Sequence, residues 1–228
     1  MLEKEFEDAI KHYDDNLVEF TQKPICLVEG NNTFFYQKIE ELYPYIIQNG
    51  HSSNAIKSNV KNSNCKIGII DNDYDNTLIE NIIKIDYYSI ENIALELIPE
   101  FKILKDLLEQ EIRKHGLEEV RKCHIEVKFF PKDIKNKNIN LKLCGQYTDG
   151  NRINYVNSKI KDLRSLNKFK DLKKAIEGTH RFLKMKHQKN IQYINELHSY
   201  MEKKSIQGIL SEEEYVRFCI INKSIGES

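Results

Sequence analysis

Lys66-Ile67-Gly68-Ile69-Ile70-Asp71-Asn72-Asp73-Tyr74-Asp75 is the stretch that decides how this chain is read. The apolar run Ile67, Ile69 and Ile70 is short and β-branched, and it stops abruptly at closely spaced acids. That is the pattern of a buried strand in an α/β sheet ending at the solvated carboxyl edge, where such sheets bind ligands. Side chains alternate along a strand, so Asp71 and Asp73 project to the same side. Two carboxylates held together are relieved by a shared proton or by a cation, and oxygen donors match a hard one such as Mg²⁺. The same triplet also suits a helix cap followed by a solvated acidic turn.

Working upstream, Ile25 to Val28 form a short apolar strand that halts at Glu29-Gly30. A helix from about Asn32 to Leu42 follows, with Phe34, Phe35, Ile39 and Leu42 facing inward. Strand, glycine turn and helix place Glu29 on the same sheet edge as the aspartates. Phe6, Ile10, Tyr13 and Leu17 give residues 2–20 the spacing of an amphipathic helix. Residues 48–64 are polar and read as a loop or a poorly formed strand. Downstream, Leu78, Ile79, Ile82 and Ile83 are expected on a helix near 76–83. Ile85 to Tyr88 then read as another strand, ending at Ser89-Ile90-Glu91-Asn92. Ser89 and Glu91 sit two apart and share a face, although Ser89 is equally suited to cap a helix over residues 90–98.

Taken in order, Leu27-Val28-Glu29-Gly30, the Asp71-Asn72-Asp73 triplet and Ser89-Ile90-Glu91 resemble the TOPRIM (topoisomerase–primase) catalytic domain over roughly residues 23–98. The closer likeness is to the nuclease branch related to OLD-family proteins, including small TOPRIM effectors encoded beside an ABC-type ATPase in PARIS-type phage-defence systems. The resemblance implies an α/β fold with a mostly parallel sheet flanked by helices. It also implies Mg²⁺- or Mn²⁺-dependent cleavage of RNA or DNA, control by an ATPase partner, and catalytic roles for Glu29, Asp71, Asp73 and Glu91. Glu29 would bridge two metal ions, Asp71 and Asp73 would hold one, and Ser89 with Glu91 the other. The chemistry agrees: four carboxylates balance two divalent cations, which about 3.5–4 Å apart serve an in-line displacement. Residues 176–186 carry a weaker echo. There Ile176-Glu177-Gly178-Thr179-His180 resembles the family's late Gly-Lys or Gly-His motif, whose basic residue supports the transition state. His180 is the first candidate for that role and Lys184 the second. Relatives carry a second acid four residues after the glutamate. Thr33 stands there in this chain and offers only a neutral oxygen, which leaves the second ion more weakly held.

The 228 residues are enough for one large domain, or for one domain with a helical extension. Lysine plus arginine equals aspartate plus glutamate at 35 each, but the balance hides an asymmetry. Residues 1–131 hold 15 basic against 24 acidic side chains, and residues 132–204 hold 18 against 7. The expected division is therefore a catalytic portion over 1–131 and a basic, mostly helical portion over 132–228 packed on it. Within the second portion, residues 152–204 read as basic helices; these are either solvated faces or the positive track that a nuclease needs for its substrate. An amphipathic helix is expected over 99–121, a strand over 125–130, and a Lys/Asn-rich insertion over 132–142.

Five cysteines without a CxxC spacing indicate neither a disulfide framework nor a zinc ribbon, and Cys123, His124 and Cys144 lack a fourth ligand. No leader or membrane-length apolar run is evident, so a cytoplasmic location is expected. Two other classes stay open. A dehalogenase-like phosphatase would use the first Asp as nucleophile, but wants Thr or Val where Asp75 stands and a downstream Gly-Asp motif that is missing. A TOPRIM-like module could also bind nucleic acid or regulate without catalysis, and Thr33 is the argument for it.

Overall fold

The computed structural model describes residues 23–61, 63, 65–74, 78–130, 138–187, 193–201 and 204–226. The expected helix over 2–20, Asp75 and most of the insertion over 132–142 lie outside them.

Four strands form a fully parallel sheet: β1 (Ile25–Val28), β2 (Ile46–Asn49), β3 (Lys66–Ile70) and β4 (Ile82–Lys84), in the order β2-β1-β3-β4. Alternation divides the sheet into two faces. Leu27, Ile70 and Ile82 pack with Ile56 and Val60 of α2 (Ser53–Val60). Gly68 admits that helix, because a Cβ there would lie 2.5 Å from both Ile56 and Ile82. Cys26, Val28, Ile67, Ile69 and Ile83 face the other way, into a core that also takes Phe35, Ile93, Ile176, Leu197 and Phe218. One contiguous core thus draws on both halves of the sequence.

The first helical segment is shorter than expected: α1 (Thr33–Tyr36) is followed by a separate 3₁₀ turn over Glu40–Leu42. Residues 48–61, read as a loop or a poorly formed strand, hold both a strand end and a helix. They complete β2 and form α2, whose N-cap Ser52 accepts a hydrogen bond from the Ala55 N–H. The helix expected near 76–83 is also corrected, since Ile82 and Ile83 belong to β4 and Asn81 turns into the strand with a left-handed φ of 56°. Residues 85–88, read as a strand, run on from β4 outside the ladder, and their N–H groups find other partners. Ile85 donates to Ile70 O, Asp86 to Ile209 O and Tyr88 to Lys168 O.

After α3 (Ile90–Leu97) the long helix breaks at Gly116, where φ is 83°, into α4 (Lys102–His115) and α5 (Leu117–Lys122). β5 (Cys123–Lys128) pairs antiparallel with β6 (Asn140–Gln146), a strand whose first residues the sequence reading gave to the insertion. The remainder is helical: α6 (Gly150–Lys159), α7 (Leu163–Phe169), α8 (Lys173–His187), α9 (Tyr193–Glu196) and α10 (Glu212–Gly226).

α8 lies on β5 through Gly178, where a Cβ would fall 2.9 Å from Val127 Cβ. At the outer edge of β4, α10 bonds to backbone groups. Glu214 Oε2 accepts the Lys84 N–H, and the Arg217 guanidinium donates to Ile79 O and Ile82 O. No helix among the described residues is long and apolar enough to cross a membrane.

Candidate functional site

The chain progresses from β1 to β2 on one side and then crosses to β3 on the other, so the order of the sheet reverses between β1 and β3. Crevices at such reversals, beyond the carboxyl ends of the strands, are where open α/β sheets bind ligands. Glu29 follows β1 and Asp71 follows β3, which puts both acids on this crevice. They are joined directly, the Asp71 backbone N–H donating to Glu29 Oε2 at 3.1 Å. Gly30 makes the turn away from Glu29 with φ at 63° and donates to His51 O.

Asp71 is 7% exposed. Burial pushes its carboxyl up to about 8 against the opposing field of Lys173, with Glu29, Glu91 and Asp73 adding to the rise. Burial likewise raises Glu29 and Asp73. Mutual repulsion among the four expected acids is therefore a property of the folded site. Glu91 stands in the first turn of α3, and its Oε2 is buried without a hydrogen-bond partner among the described residues.

The basic residue that meets these acids is Lys173. Its ammonium lies 3.1 Å from Asp71 Oδ2 and 4.0 Å from Asp73 Oδ1. Burial opposes its charge, but Asp71, Glu91 and Asp73 outweigh burial and push it above the ordinary lysine range. His180 and Lys184, the residues expected from the late motif, sit further along the same helix. The His180 ring packs on Tyr193 at 4.6 Å between centroids, and the Lys184 side chain is exposed. Gly178 of that motif serves the packing of α8 on β5.

Ser89, expected beside a metal, is wholly buried, and its hydroxyl donates to Asn92 Oδ1 at 2.9 Å. Asn92 in turn donates to Asn167 O at 2.7 Å and to Lys170 O at 2.9 Å. These bonds tie the start of α3 to the end of α7, and so fix the Lys170–Leu172 connection that leads into Lys173. The same connection is held by Lys170. Its buried ammonium donates to Arg121 O, Cys123 O and the Tyr147 hydroxyl at 2.6–2.8 Å. The sequence reading counted Lys173 only among the basic residues of 152–204 that would contact phosphate, and missed Asn92 and Asp171, a fifth acid whose charge raises Asp73.

No family model, curated protein or solved structure matches this chain.

The donor set suits a hard cation, being carboxylate oxygens with one buried oxygen left unpartnered. Its spacing is another matter. Among the described residues, no three His, Cys, Asp or Glu side chains gather closely enough to hold one metal ion as they stand. The Lys173 ammonium spans Asp71 and Asp73 instead. Thr33, the departure noted in the sequence, opens α1 and is half-buried.

Proposed function

We propose that this protein is a metal-dependent nuclease of the TOPRIM type, hydrolysing phosphodiester bonds of RNA or DNA. The observation that carries the reading is the convergence of Glu29, Asp71, Asp73 and Glu91 with Lys173 at the β1–β3 crevice. A site that only stabilises a fold has no use for three neighbouring acids, Glu29, Asp71 and Asp73, whose burial raises their protonation. A site for divalent ions does.

In this reading Glu29, Asp71, Asp73 and Glu91 would hold Mg²⁺ or Mn²⁺, which supplies a Lewis acid and lowers the pKa of a bound water. The residues of the chain contribute the rest. Glu29 and Asp71 keep fixed relative positions through the Asp71 N–H bond. Lys173, placed by the Asn92 and Lys170 anchors, presents a positive charge where negative charge grows on a phosphate in the transition state. Thr33 in place of an acid makes the second ion the weaker one. The basic C-terminal portion supplies phosphate contacts. By its family resemblance the protein would act in phage defence under an ATPase partner, and in the cytoplasm.

A second reading follows from Lys173 itself. An ammonium already spans Asp71 and Asp73, as in a module that keeps the fold and binds without cleaving.

Calorimetry with Mn²⁺ on the wild type, paired with cleavage assays on Glu29→Gln, separates the two. The nuclease reading expects Mn²⁺ binding and a loss of cleavage in Glu29→Gln with the fold retained. Full activity in that variant would overturn it, and a wild type that binds no divalent ion would favour the module.

A further inference from the structure

Beside Asp73 opens a cleft of about 660 Å³, walled by Asp73 and Tyr74 on one side and by Asn151, Arg152, Asn154 and Tyr155 of α6 on the other. Arg152 is the one cationic side chain among the described residues that line it. Its guanidinium lies 4.6 Å from the Tyr74 ring centroid and 4.9 Å from that of Tyr147. An arginine held against two rings has lost much of its freedom before any ligand arrives, so less is lost when an anion is bound.

Two donors in this wall are unused. Arg152 Nε and the Tyr155 hydroxyl are both buried without a hydrogen-bond partner among the described residues, and the Tyr155 side chain is only 3% exposed. Residues three apart on a helix share a face, so both donors serve the same side of α6. Asp149, the acid at the start of that helix, is committed to its own cap, accepting the Asn151 N–H at 2.9 Å. Buried polar groups left unpaired are costly, and ligands are among the partners that satisfy them.

We infer that this cleft is an anion subsite, with Arg152 and Tyr155 as donors to a phosphate of a nucleic-acid strand adjoining the phosphodiester that metal ions at the acids would engage. The inference rests on the nuclease reading above, because Asp73 belongs both to the cleft and to the acidic site. A guanidinium can engage a phosphate through two parallel N–H donors, which fixes the strand as well as attracting it.

The test is fluorescence anisotropy with labelled single-stranded 12-mers of ribose and deoxyribose type, in EDTA and at several salt concentrations. Arg152→Gln is expected to weaken binding about tenfold, as a lost charge-assisted contact does. It should also flatten the dependence of log affinity on log salt by about 0.7, the value for one phosphate contact to a single strand. Tyr155→Phe removes only a hydroxyl without a hydrogen-bond partner among the described residues, so it should fold normally. It should weaken binding severalfold with the salt slope unchanged, and it carries the test if Arg152→Gln fails to fold.

Binding within twofold of wild type in the folded variants, or a wild type that binds neither strand, would overturn the subsite. Displacement of the strand by equimolar inorganic phosphate would reassign the anion to free phosphate and overturn the strand assignment. Failure of the nuclease reading shows separately: a wild type that holds the strand through Arg152 but binds no Mn²⁺ keeps the subsite and loses the hydrolysis.

Discussion

Asp71→Asn removes one ionisable group from the most buried position of the site and changes its shape hardly at all. Its carboxyl rises from an ordinary 3.8 to about 8, with burial the leading cause. The folded protein therefore holds a proton that the unfolded chain releases throughout the window from about pH 4 to pH 8. Stability falls as pH rises wherever the folded state binds more protons. About four units at 1.36 kcal/mol each gives a ceiling on the order of 5 kcal/mol for the cost of ionising Asp71 in the metal-free fold. Glu29 and Asp73 are raised as well, and add in the same direction. Urea unfolding in EDTA at intervals from pH 5 to pH 8 reads this directly. Wild type should lose stability relative to Asp71→Asn as pH rises, the variant being the more stable at pH 8 and the gap narrowing to roughly 1.5 kcal/mol at pH 5. Adding Mn²⁺ at pH 8 should recover the wild type and leave the variant unmoved. Parallel stability curves for the two proteins would refute the argument, because Asp71 would then titrate alike folded and unfolded.

Lys173→Gln should lower the cleavage rate by about a hundredfold or more, the usual scale for removing a group aimed at transition-state charge. Lys184→Ala, on an exposed position of the same helix, should stay near wild type in the same assay, and a reversal of that order would return the role to the late motif. Gly178→Ala should cost about 1–3 kcal/mol by overpacking α8 against Val127; an unchanged denaturation midpoint would mean that the helix lies further from β5.

The acids at the strand ends were legible because β1 and β3 are apolar runs with abrupt polar stops, and because α3 begins at a recognisable capping residue. β4 was not. All three of its residues are buried, so it shows no alternation. Ile79, Ile82 and Ile83 in addition fall at spacings of three and four, which imitate a helix face. β2 failed for the opposite reason, being an edge strand with little of it buried. α2 hid in a polar stretch, although Ser52 with Ile56 and Val60 was a usable cap and stripe. Lys173 stood out only as one lysine of a basic run. Its place is set by Asn92 reaching across 75 and 78 residues to Asn167 and Lys170, and by Lys170 reaching back to the start of β5. A motif search along the chain finds His180 instead, since Gly178 is conspicuous for a reason that concerns packing.

Asp71 and the lysine that neutralises it are 102 residues apart in sequence. On the ribosome all four acids, from Glu29 to Glu91, emerge before that lysine. At 5–20 residues per second the interval between Glu91 and Lys173 lasts roughly 4–16 s. During that interval the sheet has its crowded carboxylates without the ammonium that lies nearest to Asp71 and Asp73. Settling of the acidic crevice thus waits on the delivery of α8, and so does the cleavage chemistry proposed for it.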